Sequence, residues 1–455
     1  MWNPLPYQWP RVRSKHFCAR PLLFLLLFPV AYLVIGNTAP VNAKQSSVAP
    51  ASQPLNQFSA SNLPAKIHGQ NLKQCLTKLN AQGAGWCEIY RSRQHPSISS
   101  VWPKKLDKKT KMRTGPASIL IAWNGAAFDE ENRVLYFFGG GHKDYGGNEV
   151  YRFKLDSGEW TRLTDPSPLD YLYVVANYNA RPDKPWRMLC WIPDIDKIPA
   201  STHTYDGFIF SHKTKTLFLY AQGIANGSCF EDKNDTYKNT PGITSSGYRA
   251  LGWYEFNPSP NSLNNGLAPL SWRKVFNSDQ LEKFNIHKGY PASVEFQDGK
   301  IAFGSKYRTA IYDPTNPIMS SIKPFTYQAD WGDGTKIYDH QRKVIWSLHK
   351  DTLLSFNAIN GRSILKIKAN VDHGKSLAID NRGRILSWNG KSKIYSLASD
   401  KETPYWKEFN WGENGPQLGD NRVYGKWVYL PKYDVFVGLS SHKTGVWVYK
   451  HSAQW

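Results

Sequence analysis

The sequence predicts an all-β chain folded as a β-propeller of four-stranded blades, with six blades visible and a seventh left open. Three observations predict it. Short apolar or alternating runs separated by turn residues recur through most of 117–450. The last three groups of runs begin near 330, 375 and 424, a repeat-like spacing. Aromatic residues make up 14% of the 455, with 18 Trp and 25 Tyr, which suits sheets.

The first unit is the most complete. Residues 118–124 read as a strand, 129–132 as a turn and 134–138 as a second strand ending in glycines. The loop Gly139-Gly140-Gly141-His142-Lys143-Asp144-Tyr145-Gly146-Gly147-Asn148 leads to strands at 150–155 and 160–163, which carry Tyr151 and Trp160. This pattern of glycines, tyrosine and tryptophan resembles a kelch repeat of the galactose-oxidase-like propellers. The resemblance covers most of 117–450, and only the first unit has the full pattern.

Five more units follow. The second takes 203–207, 217–220, 248–256 and 272–275, and the third 292–296, 300–303 and 309–312. The fourth takes 335–339, 344–348 and 352–357, the fifth 375–379, 384–388 and 393–397, and the sixth 425–430, 435–439 and 445–449. Turn signals such as Asp298-Gly299 and Asn381–Gly383 separate first and second strands. Long insertions at 164–202 and 221–247 read as loops. The sixth unit lacks an outer strand, which 85–112 supplies unless it builds a seventh blade; closing the ring in this way removes exposed edges.

Ahead of the propeller, Arg11, Arg13, Lys15 and Arg20 precede an apolar run from Leu22 to Ile35, too short for a comfortable membrane span. The expectation is a signal peptide over 1–43, cleaved after Ala43, with an uncleaved membrane anchor as the alternative. Residues 44–64, rich in Ser, Ala, Pro, Asn and Gln, read as a linker. Residues 65–116 read as a segment that packs on or closes the propeller, with a helical pattern over 65–82, and 117–455 as the propeller itself. The expected location is secreted or periplasmic.

Cysteine usage agrees with export. Cys18 leaves with the leader, and Cys75, Cys87, Cys190 and Cys229 remain, an even count that suggests two disulfides in an oxidising compartment. Nearest-neighbour pairing gives Cys75–Cys87 and Cys190–Cys229, one of three possible connectivities. No CxxC occurs, so no thiolate zinc site is expected, and a structural calcium or zinc ion stays open. Net charge is +21, and removal of 1–43, with four basic residues and no acid, leaves +17. A chain this basic meets polyanions. Export and aromatic richness select acidic polysaccharide over nucleic acid. A membrane enters only through the leader, and a monomer is expected.

In a propeller the start of each innermost strand and the loop after the second strand share one face. That face receives Asn124, His142, Tyr145 and Asn148 from the first unit, and His203, Tyr205, Asp206 and Arg249 from the second. The third unit gives Lys288, Tyr290, Lys306, Tyr307 and Arg308, and the fourth His349 and Lys350. The fifth gives His373 and Lys375, and the sixth Arg422, Tyr424, His442 and Lys443. Acids there are few: Asp144, Asp206 and Asp372. Converging basic and aromatic groups suit an extended anion with sugar rings. Taken singly, these residues have structural readings: Asp206 bonding its own turn, Tyr145 and Asn148 holding the glycine loop.

Three functions compete. The first is a lyase that cleaves a uronate glycan by β-elimination, which needs a carboxylate neutraliser, a base and an acid. The chain is similar to propeller lyases of the ulvan-lyase kind, which use His, Tyr and Arg in this way. That resemblance implies catalysis by His142, Tyr145, His203, Tyr205 and Arg249, and substrate binding by Asn124, Asn148, Lys288, Tyr290, Lys306, Arg308, His349, His373, Lys375, Arg422 and His442. It implies no cofactor. The second is a non-catalytic, carbohydrate-binding kelch propeller of the cell envelope. The third, a copper radical oxidase, is disfavoured because no Tyr-His pair is adjacent and the cysteines are committed. Hydrolysis by paired carboxylates is disfavoured by the scarcity of acids.

Overall fold

A computed structural model describes residues 64–452 other than 90–97, 104–115, 122, 141–144, 169–170, 179–185, 193, 195–196, 222–228, 233–251, 278–279, 282, 285, 287–289, 306–307, 319–321, 326–330, 332–333, 350–351, 369–375, 399–403 and 421. The leader and linker expected over 1–63 lie outside the described residues.

Six antiparallel blades form the propeller. The first is Ala127–Asp129, Val134–Phe138, Val150–Lys154 and Glu159–Arg162, paired in that order from the centre outward. The remaining innermost strands are Phe208–Ser211, Ala292–Glu295, Gly334–Asp339, Ala378–Ile379 and Trp427–Leu430. The sixth blade takes its outer strand from Gly85–Ile89, which pairs antiparallel with Val446–Lys450, and so no seventh blade forms among the described residues. Ile67–Gly69 adds a parallel strand beyond it.

One local device repeats in every blade. The first hairpin turns on a residue of positive φ: Arg133, Lys215, Gly299, Lys343, Gly383 and Asp434. In four blades an aspartate closes the turn by accepting backbone N–H groups: Asp129 from Asn132, Asp298 from Lys300, Asp339 from Gln341 and Arg342, and Asp380 from Arg382 and Arg384. An Asx side chain imitates a backbone turn and fixes the register of the strands on either side.

The core has no hub. It divides into six apolar clusters, one at each junction between blades, among the described residues. Strand alternation serves two junctions at once. Leu217 and Leu219 pack toward the first blade, while Phe218 and Tyr220 pack toward the third. The closing strand is anchored by fully buried Trp86, whose ring lies 5.5 Å from Trp388, 6.1 Å from Trp427 and 4.7 Å from Tyr449. Trp86→Ala would cost about 3–5 kcal/mol. Helix Leu72–Gln82, capped by Asn71 and ended by Gly83 at φ 86°, packs beside that strand and is bonded to it by the Cys75–Cys87 disulfide.

Three expectations need correction. The inner strand of the second blade is Phe208–Ser211, not 203–207, because Tyr205 at φ 44° interrupts extended backbone there. Residues 118–124 are not the first strand: Ala117–Leu120 is a short helix and the inner strand is Ala127–Asp129. An apolar run of this length has no decisive period, and the Asp129 turn pairs Ala127 with Tyr136, which sets the strand later. The insertions are not plain loops. Tyr171–Tyr178, Trp186–Ile192 and Cys229–Asp232 form a three-stranded sheet of their own, as their aromatic and β-branched composition favours. Cys190 and Cys229 are directly opposite in its register.

Candidate active site

The chain reaches each innermost strand from one face, and there it adopts an unusual backbone. Trp123 (φ 69°), Tyr205 (φ 44°), Tyr290 (φ 35°) and Tyr424 (φ 49°) all occupy the left-handed region just before an inner strand. Bulky residues avoid that region, at about 1–3 kcal/mol each, and such strain concentrates at functional sites. Bonds between neighbouring blades hold it. The Tyr205 N–H donates to the Trp123 carbonyl at 2.7 Å, and the Gly125 N–H to the Thr204 hydroxyl at 2.9 Å. Gly125 is obligatory here, because a Cβ would lie 2.0 Å from the Tyr205 carbonyl oxygen.

These approaches bring one cluster together. The Tyr205 ring meets Tyr290 edge-on at 5.2 Å, Tyr424 at 5.7 Å and His203 at 6.1 Å. The Arg422 guanidinium lies 4.4 Å from the Trp123 ring centroid. It donates to Asp420 through Nε at 2.7 Å and Nη2 at 2.5 Å. Hydrogen bonding to Asp420 holds the Arg422 pKa above its usual value, and the Tyr424 and Tyr205 hydroxyls are close enough to add to the effect. Burial pushes Asp420 upward, but the bonds from Arg422 win and hold its carboxyl below the usual range. Tyr205 and Tyr424 are buried, whereas Tyr290 is 41% exposed and presents a ring to solvent.

Beneath the cluster lies a buried ionic layer. Lys426 Nζ donates to the carbonyls of Asn124 and Arg422, tying the first blade to the sixth under the Trp123–Arg422 pair. Burial pulls its pKa down to about 7. Asp206 accepts the Lys336 N–H at 2.7 Å, and burial pushes its carboxyl up to about 6. Asp206 therefore bonds across the ring to the fourth blade, not within its own turn.

Other candidates fall elsewhere. Asn124 is fully buried and bonds the carbonyls of Ser118 and Phe138. Asn148 bonds the Pro199 carbonyl and Ser167. Tyr145 is fully buried, donates to Glu149 and packs on Trp102. Asn124 and Asn148 hold backbone, and Tyr145 is committed to the buried Glu149 carboxylate, so neither the binding roles of the first two nor the catalytic role of the third is supported. His349 is buried at the end of a strand, opposite Gly334. Arg308 is exposed at a turn. His442 is half-buried, and burial with Lys443 holds its pKa below the usual value. His142, Arg249, Lys288, Lys306, His373 and Lys375 lie outside the described residues. Trp123 and Asp420 were not foreseen. Trp123 stands four residues ahead of its inner strand, a position that the misplaced first strand hid, and Asp420 stands two residues ahead of the Arg422 that it grips.

A central cavity of about 950 Å³ runs along the innermost strands. Its lining includes Asp206 and Lys336 toward the cluster, and Glu130, Lys213, Asp298 and His340 at the hairpin turns of the opposite face. Among the described residues, no group of His, Cys, Asp and Glu could hold a metal ion.

No protein-family model matches the sequence, and no curated protein matches it. Solved structures with a similar chain path include virginiamycin B lyase from Staphylococcus aureus, in an inactive form with quinupristin, at 10% identity over 75% of this chain and 98% of that one, with a TM-score of 0.37. A gluconolactonase from Xanthomonas campestris matches at 11% identity over 73% and 91%, with a TM-score of 0.38. A streptogramin B lyase matches at 12% identity over 73% and 95%, with a TM-score of 0.35. Likeness this loose carries no argument about activity, so function rests on this chain's own residues.

Proposed function

We propose that the protein is an exported lyase that cleaves a uronate-containing polysaccharide by β-elimination at the Tyr205–Arg422 cluster. One observation carries the reading: Arg422 and Tyr424 from the sixth blade meet Tyr205 and His203 from the second, on either side of the first, on one strained backbone face. Arg422 would neutralise the uronate carboxylate, which acidifies the C5 proton. Tyr205 or His203 would take that proton as the C4–O bond breaks and a C4–C5 double bond forms. The other group would protonate the departing oxygen. Tyr290 offers a ring on which a sugar can stack. The reaction is redox-neutral and calls for no cofactor. The kelch resemblance of the first blade and the basic charge fit an acidic glycan as partner, met by a secreted or periplasmic monomer.

The test is depolymerisation of uronate glycans by the parent and by Tyr205→Phe. Turnover lost with glycan retention kept supports the reading. A parent that retains a glycan yet never cleaves one selects the non-catalytic carbohydrate-binding propeller. The bidentate grip of Asp420 favours this second reading, because it already occupies one edge of Arg422.

A further inference from the structure

The third-to-fourth-strand turns of the second, third and fourth blades leave large aliphatic side chains in water. Leu263 is 71% exposed, Ile318 52% and Ile359 82%. Antiparallel strand order places these turns on the side opposite the tyrosine cluster. They are neighbours. Asn265 donates to the Pro314 carbonyl at 3.1 Å, joining the first two turns. Gly361 sits against the Phe325 ring, joining the third turn to the outer strand of the third blade. Beside Ile359 the outer strand Ser363–Lys368 adds Ile364, 58% exposed.

Charge on this rim is one-sided. Residues 257–271 carry no charge, 313–325 carry Asp313 and Lys323, and 357–368 carry Arg362, Lys366 and Lys368 with no acid. All four basic residues are exposed. The single acid is occupied, since Asp313 Oδ1 accepts both the N–H and the hydroxyl of Thr315. Scattered exposed aliphatics are ordinary, but here they crown adjacent turns within a basic field.

We propose that this rim docks on an anionic lipid surface, with Leu263, Ile318 and Ile359 inserting among the headgroups and Lys323, Arg362 and Lys366 meeting lipid phosphates. Shallow insertion of aliphatic tips and attraction of Lys and Arg to anionic headgroups add together. A second copy of the chain fits poorly, because two rims of the same sign repel and the whole chain carries +21. Docking would turn the tyrosine face away from the bilayer, toward soluble glycan.

Vesicle flotation tests this with the full chain, on phosphatidylglycerol–phosphatidylcholine vesicles and on phosphatidylcholine alone. The leader and linker are common to every variant. The expected result is binding to the anionic vesicles only, weakened at least about tenfold in Leu263→Ser/Ile318→Ser/Ile359→Ser. Arg362→Gln/Lys366→Gln should weaken binding and flatten its salt dependence. Equal binding by parent and triple variant, no binding by the parent, or a dimer that the triple variant abolishes would each overturn the proposal. The readout needs no turnover, so it stands or falls apart from the lyase reading.

Discussion

Arg422 lies over the ring of Trp123, 4.4 Å from its centroid, and so joins the last blade to the first at the point where the ring closes. The same arginine is gripped by Asp420 and supported from below by Lys426, which binds its carbonyl. Fold closure and site assembly are therefore one event.

Arg422→Ala should lower kcat/KM on a uronate glycan by about 10²–10³, as loss of one charge-stabilising donor does. Arg422→Lys should recover little, because lysine neither stacks on Trp123 nor matches Asp420 through two bonds. Steady-state kinetics beside far-ultraviolet circular dichroism separates this from unfolding.

Tyr205→Phe keeps the ring and its edge contacts with Tyr290 and Tyr424 but removes the hydroxyl. Turnover should fall about 10²–10⁴ with glycan affinity nearly unchanged. His203→Ala should behave alike if the imidazole is the base. A matched fall in affinity for both variants would instead mark them as binding groups.

Glu149 offers a pH test of stability. It is fully buried beneath Tyr145 and Tyr151, and burial pushes its carboxyl up to about 7. The folded chain keeps a proton that the unfolded chain has released, so stability is fully present below about 4.5 and is lost as pH rises toward 7. Asp206 acts in the same sense, so the comparison must be between variant and parent. Glu149→Gln should shrink the drop in Tm between pH 5 and pH 8 and stabilise the protein at pH 8 by up to about 3 kcal/mol. An unchanged pH profile would show that Glu149 does not govern it.

The cysteines make a fourth test. Cys75–Cys87 fastens the closing strand, so the double serine variant should lose about 2–4 kcal/mol. Cys190 and Cys229, opposite in register, should appear cross-linked in peptide mapping without reduction. Alkylation of both before reduction would contradict the pairing.

Much of the fold was legible because the hairpin turns carry their own chemistry. Aspartates and glycines ahead of 134, 301, 344 and 385 set strand registers from local sequence. The outer strands of the third, fourth and fifth blades went unseen, since half-exposed strands such as Ser363–Lys368 alternate weakly. The site was legible in part. Tyr205, Tyr290, Arg422 and His203 lie together on the face that topology assigned to them. Topology gives a residue its face but not its depth, and Tyr145, Asn124 and Asn148 proved to be buried. Trp123 became visible only once Ala127–Asp129 replaced 118–124 as the inner strand, and Asp420 only through its bonds to Arg422.

The most direct measurement is the ultraviolet absorbance of the unsaturated uronate that β-elimination leaves, followed with the parent protein across a panel of acidic polysaccharides. The account predicts a steady rise on at least one glycan, abolished in Arg422→Ala and in Tyr205→Phe. A flat trace on every glycan from a folded protein, or a rise that both variants retain, would contradict it.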